Sequence, residues 1–131
     1  MQFGGTVLYV NDVFATVDFY QRVFSLSLRF SDEKLGYAEL ETGGAPLAIA
    51  SHSLGEFLMP GAYRRTAHGP EGVEIAFLSI DIQAAFELAC KEGAVPVAGP
   101  KRMPWGLEVA YVRAPEGTLI GLSEPPPKPT V

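Results

Sequence analysis

The spacing of apolar residues along the chain changes in the same order in its first and second halves. Alternation in TVLYV predicts a strand over residues 6–10, and the pair Asn11-Asp12 then offers a helix cap. The next segment, VFATVDFYQRVF, carries its apolar residues at helical spacing. Three strand-like stretches follow, LSLRFS at 26–31, YAELET at 37–42 and PLAIAS at 46–51. The first half therefore predicts the order βαβββ.

The second half repeats this order from Val73 onward. VEIAFLSI predicts a strand, Asp81 caps the helix IQAAFELACKE, and Gly93 supplies the left-handed residue that ends it. Three further strands are predicted, at 95–101, 107–113 and 118–124. Superposing Asp12 on Asp81 aligns the two strand-cap-helix junctions, so the halves share an architecture although their sequence identity is weak.

These elements predict an α+β protein of two βαβββ modules, each a four-stranded sheet with one covering helix. The free faces of two such sheets would enclose a pocket if the sheets faced each other. We predict a first module, a connection, a second module and a Pro-rich tail at residues 1–51, 52–72, 73–124 and 125–131. The connection is long and punctuated by Gly and Pro, and two interpretations stay open for it, a lid and a solvated crossover loop.

Composition narrows the partners and the compartment. The 131 residues, 47% hydrophobic and 19% charged, suffice for one globular unit, and a second copy often completes the core of so small a chain. We therefore expect a homodimer. A formal charge of -5 with interspersed signs argues against a nucleic-acid partner. No apolar run approaches the roughly 20 residues that span a bilayer. The single Cys90 fits a reducing compartment, so we expect a soluble, cytoplasmic protein that makes no contact with a membrane.

Three stretches of the chain resemble the vicinal oxygen chelate superfamily, the group of glyoxalase, bleomycin-resistance and extradiol-dioxygenase proteins. They are LYVNDVFATVDFYQRVFSLSLRF, VEIAFLSIDIQAAFELACKEGAVPV and PWGLEVAYVRAPEGTLIGLSEP, and they cover almost the entire chain. The last is the most specific, because a Trp-Gly turn and a Pro-acid-Gly turn recur there in the family. Ala114 stands where the family usually has Asp. The resemblance implies the glyoxalase/bleomycin-resistance/dioxygenase fold, with curled mixed sheets around a cleft.

The resemblance also bears on metal binding. In metal-dependent members, four ligands, usually His or Glu, come from the first and last strand of each module and hold an ion that acts as a Lewis acid. Carried over to this chain, those positions fall on Gly5, near Ile49, on Glu74 and on Gly121. Only Glu74 has a side chain that binds metal, so we expect no metal cofactor. The alternative is a divalent transition metal held by Glu74 and His52, brought together by a longer strand or a bulge.

Glu74 is also the candidate catalytic residue. It alternates with Val73 and Ile75 along a predicted strand, which places its side chain on the opposite face. In an apolar pocket this carboxylate would act as a general base or would anchor a cationic ligand group. The alternative is a structural ion pair with Arg29 or Arg113.

Aromatic residues are the other candidates for ligand contact. Trp105 lies at a turn, where it either contacts a ligand, as aromatic residues do in the metal-free resistance proteins that this chain resembles, or packs against the core. Tyr9 shares the parity of Gly5, the vacant metal position. The predicted ligand-binding residues are Trp105, Tyr9, Glu74, Ile49, Gly121, Tyr37 and Phe57, with Tyr63 as a weaker candidate.

Together these features predict a metal-free module that binds a small, partly aromatic or hydrophobic molecule and sequesters it, in the manner of bleomycin- or mitomycin-resistance proteins. The alternative is a lyase, isomerase or dioxygenase of the same superfamily, either metal-dependent or with Glu74 as general base. A third possibility is an accessory subunit with a vestigial pocket. The fold alone does not choose among them.

Overall fold

The predicted order of elements is present in each half of the chain. The computed structural model describes residues 1–65 and 72–127, and the chain divides into two compact units between residues 66 and 67. The first unit contains β1 (Thr6–Val10), α1 (Val13–Phe24), β2 (Ser27–Asp32), β3 (Tyr37–Glu41), β4 (Leu47–Ser51) and α2 (His52–Leu58). The second contains β5 (Glu74–Leu78), α3 (Ile82–Lys91), β6 (Val95–Arg102), β7 (Glu108–Arg113) and β8 (Leu119–Ser123). The α+β fold of two βαβββ units is therefore confirmed.

Both long helices begin at the predicted caps. The Asp12 carboxylate accepts a hydrogen bond from the Ala15 backbone N–H at 3.0 Å, and Asp81 accepts one from Ala84 at 3.0 Å. Each bond satisfies one of the N–H groups that have no partner inside the helix. Gly93, just beyond α3, has φ of 113°, the backbone conformation that its position predicted.

Each sheet pairs its first strand with its last strand in parallel. The strand orders are β1-β4-β3-β2 and β5-β8-β7-β6, and the other neighbouring pairs are antiparallel. A parallel pair cannot be joined by a tight turn, so a crossover must connect its strands. In each unit the crossover contains the long helix, which packs on one face of the sheet.

The cores lie between each sheet and its long helix. In the first unit, residues of β1, β3 and β4 that share one face are buried together with residues of α1, namely Leu8, Val10, Leu40, Leu47, Ile49, Val17, Phe19 and Tyr20. Ala48 and Ala50, on the other face of β4, are also buried. In the second unit the corresponding residues are Ile82, Ala89, Ala110, Val112, Ile120 and Leu122. Because side chains alternate along a strand, the residues between them face the opposite side of each sheet, called the open face below.

The segment predicted to be a connecting loop begins with a helix, which corrects the prediction for residues 52–72. The Ser51 hydroxyl accepts a hydrogen bond from the Leu54 N–H at 3.0 Å and starts α2 directly after β4. This helix is only 7 residues long and contains Gly55. A segment this short does not show the repeating spacing of apolar residues from which a helix is predicted.

Several predictions fall on parts of the chain that the structure does not describe. The remainder of the connection includes residues 66–71, with His68 among them, and the tail includes residues 128–131. Whether the connection forms a lid therefore stays untested. Among the described residues, none of the helices is long and apolar enough to cross a membrane.

The first testable consequence concerns the Asp12 cap. Replacing Asp12 by Ala should lower the free energy of unfolding by about 1 kcal/mol, because the Ala15 N–H loses its acceptor. Urea denaturation measures this change. Asp18→Ala is the matched control, since Asp18 lies in the same helix and forms an exposed ion pair with Arg22. The control should lose at most about 0.5 kcal/mol, and an equal loss in both variants would contradict a capping role.

Candidate functional site

The open face of the first sheet carries two tyrosines on either side of a small residue. The strand register aligns Tyr9 with Ala50, and Ala50 with Tyr37, so the three side chains form one row across β1, β4 and β3. The next row contains Ala48 and Glu39. We call this surface the tyrosine face, defined as Tyr9, Tyr37, Glu39, Ala48 and Ala50. It consists of phenol rings and one carboxylate beside two buried alanines.

A hydrogen bond fixes Tyr37 on this face. Its hydroxyl donates to Glu39 Oε2 at 2.6 Å, and Phe30 packs near its ring with centroids 6.2 Å apart. Burial, followed by the hydrogen bond and the charge of Glu39, raises the pKa of Tyr37 to about 12, while Arg29 opposes the shift. Tyr37 therefore stays protonated at neutral pH and keeps donating to Glu39.

Tyr63 extends the tyrosine face from the segment that follows α2. Its ring lies edge-on to Tyr9, with centroids 5.2 Å apart, and its hydroxyl hydrogen-bonds to Nδ1 of His52. Gly55 makes room for this ring, because a Cβ at that position would lie 2.7 Å from Tyr63 Cε2. The first turns of α2 thus hold a third phenol ring beside Tyr9.

The electrostatic surroundings keep His52 neutral. Burial lowers its pKa from the ordinary value of 6.5, and Arg65 lowers it further, while Glu56 opposes them. Burial also raises the pKa of Tyr63, with Arg65 opposing. At neutral pH the pair is therefore a neutral imidazole and a neutral phenol. A neutral imidazole has one ring nitrogen without a proton, so Nδ1 of His52 can accept a hydrogen bond from the Tyr63 hydroxyl.

In the second unit, Glu74 lies on the open face as its alternation predicted. The register aligns Ala76 with Gly121, and a Cβ at Gly121 would lie only 2.6 Å from Glu74 Oε2. Gly121 therefore provides the space in which the carboxylate lies. Glu74 has no hydrogen bond or ion pair within the described residues of this unit, and Arg113 instead donates to the Gly117 carbonyl at 3.0 Å.

Other predicted site residues lie elsewhere in their units. Ile49 is 0% exposed and faces α1, so Ala48 and Ala50 occupy the open-face positions of β4 instead. Trp105 is 67% exposed at the turn after β6, so it does not cap the core of its own unit. Phe57 is an exposed residue of α2.

The residues at the family's metal positions do not fit a bound ion. Gly5 and Gly121 have no side chain, and Ile49 faces the core. Across residues 1–65 and 72–127, no three His, Cys, Asp or Glu side chains lie close enough together to hold an ion. One carboxylate is too few ligands to retain a transition metal. A metal-free site remains our prediction.

Sequence reasoning missed Glu39, Gly55 and the role of His52. Glu39 alternates with Tyr37 in YAELE, so their shared face could have been found from parity alone. The contact of His52 with Tyr63 could not have been found in this way, because it depends on the path of the chain after α2.

Lowering the pH should destabilise the first unit through His52. Since its pKa is lower in the folded protein, the unfolded chain binds the proton first as the pH falls below about 6.5. The free energy of unfolding should therefore fall from pH 7 to pH 5, measured by thermal melting, and His52→Gln should flatten part of this dependence.

Arg65→Gln should raise the His52 pKa in an NMR titration, because the charge of Arg65 lowers that pKa. An unchanged pKa would show that Arg65 does not lower it.

Replacing Gly55 gives a second test of where the Tyr63 ring lies, because the substitution has two effects of opposite sign on the free energy of unfolding. Alanine is favoured over glycine inside a helix by about 1 kcal/mol, but here its methyl group would displace the Tyr63 ring. Gly55→Ala should destabilise the protein when Tyr63 is present and stabilise it in a Tyr63→Ala background. Urea denaturation of the four proteins of this double-mutant cycle measures both signs. The same stabilisation in both backgrounds would show that the ring does not occupy this space.

Solved structures share this fold at low sequence identity. A glyoxalase-related enzyme from Fulvimarina pelagi is 17% identical, with a TM-score of 0.82 over 96% of this chain and 89% of that chain. A glyoxalase/bleomycin resistance protein/dioxygenase family enzyme from Burkholderia phytofirmans PsJN is 19% identical, with a TM-score of 0.76 over 92% and 96% of the two chains. A glyoxalase/bleomycin resistance protein/dioxygenase from Nocardioides is 22% identical, with a TM-score of 0.69 over 100% and 89%. Identities this low support the fold alone.

Sequence comparison identifies the family directly. No curated protein gives a significant match to the chain. The model of the Glyoxalase/Bleomycin resistance protein/Dioxygenase superfamily, however, matches residues 2–122, nearly the whole chain. Together with the paired βαβββ units, this match confirms the resemblance seen in the sequence. The chain belongs to the Glyoxalase/Bleomycin resistance protein/Dioxygenase superfamily.

Proposed function

We propose that this protein binds a small, planar, partly aromatic molecule on its tyrosine face without a metal ion, and so sequesters or carries it. The observation that carries this proposal is the grouping of Tyr9, Tyr37 and Tyr63 on one face, where Tyr63 packs against Tyr9 and Tyr37 is hydrogen-bonded to the Glu39 carboxylate. Phenol rings offer flat apolar surfaces together with polar tips, which is the usual composition of a small-molecule site.

The side chains of this site are held in place before a ligand arrives. Tyr37 is hydrogen-bonded to Glu39, and Tyr63 is hydrogen-bonded to His52 and packed against Gly55. Ordering a mobile side chain costs about 0.5–1.5 kcal/mol on binding. Rings that are already fixed avoid much of this cost, so modest stacking energies suffice for binding.

Trp105, in the second unit, is a separate exposed aromatic ring that a ligand could contact. Its exposure leaves the indole available to a ligand, and it is the only tryptophan in the chain. Its fluorescence therefore reports ligand contact at one position.

The homodimer expected from the chain's size, and the cytoplasmic location, stay predictions.

An enzyme is the second candidate, and Glu74 is the observation that favours it. Within the described residues of its unit, this carboxylate has no ion pair or hydrogen bond, and it lies over Gly121 beside the apolar Ala76 and Leu78. A carboxylate without a partner can accept a proton from a bound substrate. An isomerase or lyase that uses Glu74 as its base would lose turnover on Glu74→Gln, whereas a binding protein would keep its ligand affinity.

The proposed function is tested by screening planar aromatic compounds against chelator-treated protein, with NMR shifts and melting temperature as readouts. A compound that binds should shift the Tyr9 signals, and Tyr9→Ala should weaken its binding about tenfold, because one stacking contact of about 1 kcal/mol and its buried area are lost. Phe14→Ala is the control, since Phe14 is a partly exposed aromatic on α1. Equal affinities in wild type and Tyr9→Ala would contradict the proposal.

The same protein should be offered nickel, cobalt, zinc, manganese and iron in turn. We expect no rise in melting temperature, because Glu74 is the only one of the family's ligand positions whose side chain could bind an ion, and one carboxylate does not hold it. A tight site would add several kcal/mol of stability when filled. A clear shift with one ion per chain would instead favour the metal-dependent enzyme.

A further inference from the structure

The carboxylate of Glu39, on the tyrosine face, can accept more hydrogen bonds than it receives from the described residues. Glu39 Oε2 accepts the Tyr37 hydroxyl at 2.6 Å, while Oε1 accepts no hydrogen bond from the described residues. Among the described residues, the cation that lies beside it is Arg29, whose Nε is 3.9 Å from Oε1, beyond hydrogen-bond distance. A carboxylate offers about four lone-pair positions. A ligand that donates to Glu39 would therefore fill positions that the protein leaves open.

Solvent exposure shows which of these two charges gains more from a ligand. The Glu39 side chain is 25% exposed, whereas that of Arg29 is 49% exposed. Water therefore solvates the Arg29 side chain more fully than the Glu39 side chain. A charge with less solvent around it gains more from a new partner of opposite sign. This difference favours a cationic ligand over an anionic one.

The neighbouring phenols also favour a ligand that donates hydrogen bonds. The Tyr37 O–H is already used by Glu39, so the Tyr37 oxygen is left as an acceptor. The Tyr63 hydroxyl is likewise engaged, by His52. Phenol rings attract cations over their faces, which adds to this preference.

We propose that the tyrosine face selects a planar molecule that carries a protonated amine, with the amine bound at Glu39 and the ring held against Tyr9 and Tyr37. This inference rests on the proposed function and adds the chemical class of the ligand. Arg29 then acts as a competitor, because it is the cation that the amine must displace from the neighbourhood of Glu39.

Three probes with the same ring test the sign of the charge: naphthylmethylamine, naphthylmethanol and naphthoate. Calorimetric titration of the full chain at pH 7 should rank the amine tightest and the acid weakest. Glu39→Gln should weaken amine binding about tenfold or more, because a charge-assisted hydrogen bond is lost. Glutamine keeps an oxygen that accepts the Tyr37 hydroxyl, so the face should keep its shape, which tyrosine NMR shifts can verify.

Arg29→Gln gives a change of opposite sign. Without its competitor the amine should bind a few-fold more tightly, whereas an acid that used Arg29 would bind more weakly. Glu87→Gln and Arg22→Gln are controls that change the net charge equally at exposed helix positions outside this face, and both should leave affinity unchanged.

The outcomes separate this inference from the proposed function. If the acid binds tightest and Arg29→Gln weakens it, the amine preference is wrong while a binding face remains. If all three probes bind equally and Glu39→Gln has no effect, Glu39 does not select the ligand. If no probe binds and Tyr9 is unaffected throughout, the proposed function itself fails.

Discussion

The parallel pairing of the first and last strand in each sheet decides which side chains meet a helix and which face away from it. In the first sheet Leu8 is aligned with Ile49, and in the second Ile75 is aligned with Ile120. These pairs anchor the buried faces. A shift of one residue would turn every side chain of the strand to the other side, so burial of one face against a helix holds the register in place.

This constraint explains how the tyrosine face arises. Once Leu8 and Ile49 are buried, their neighbours Tyr9 and Ala50 must point the other way. The small side chain of Ala50 lies buried between the tyrosines that the register places on either side of it. Core packing on one face thus positions polar and aromatic groups on the other, although those groups contribute little to the core themselves.

Short-range hydrogen bonds then orient the side chains that the register brings together. Tyr37 and Glu39 are two residues apart on one strand, so their contact is local. The contact of His52 with Tyr63 spans eleven residues and depends on α2. The second unit differs, since Glu74 lies over Gly121 and is not held by a hydrogen bond among the described residues. The two open faces therefore differ in chemistry although their strand orders correspond.

The sequence by itself determined the elements, their caps and the parity of Tyr9 and Glu74, because periodicity and capping are local properties. It also indicated the superfamily, through three stretches that resemble the family's sequences. It placed Ile49 on the open side, where the register puts Ala48 and Ala50, since a one-residue offset cannot be detected within a run of small apolar residues. Only the tertiary structure decided that α2 follows β4 and that Tyr63 lies beside Tyr9, because such contacts depend on the path of the chain between elements rather than on any local pattern.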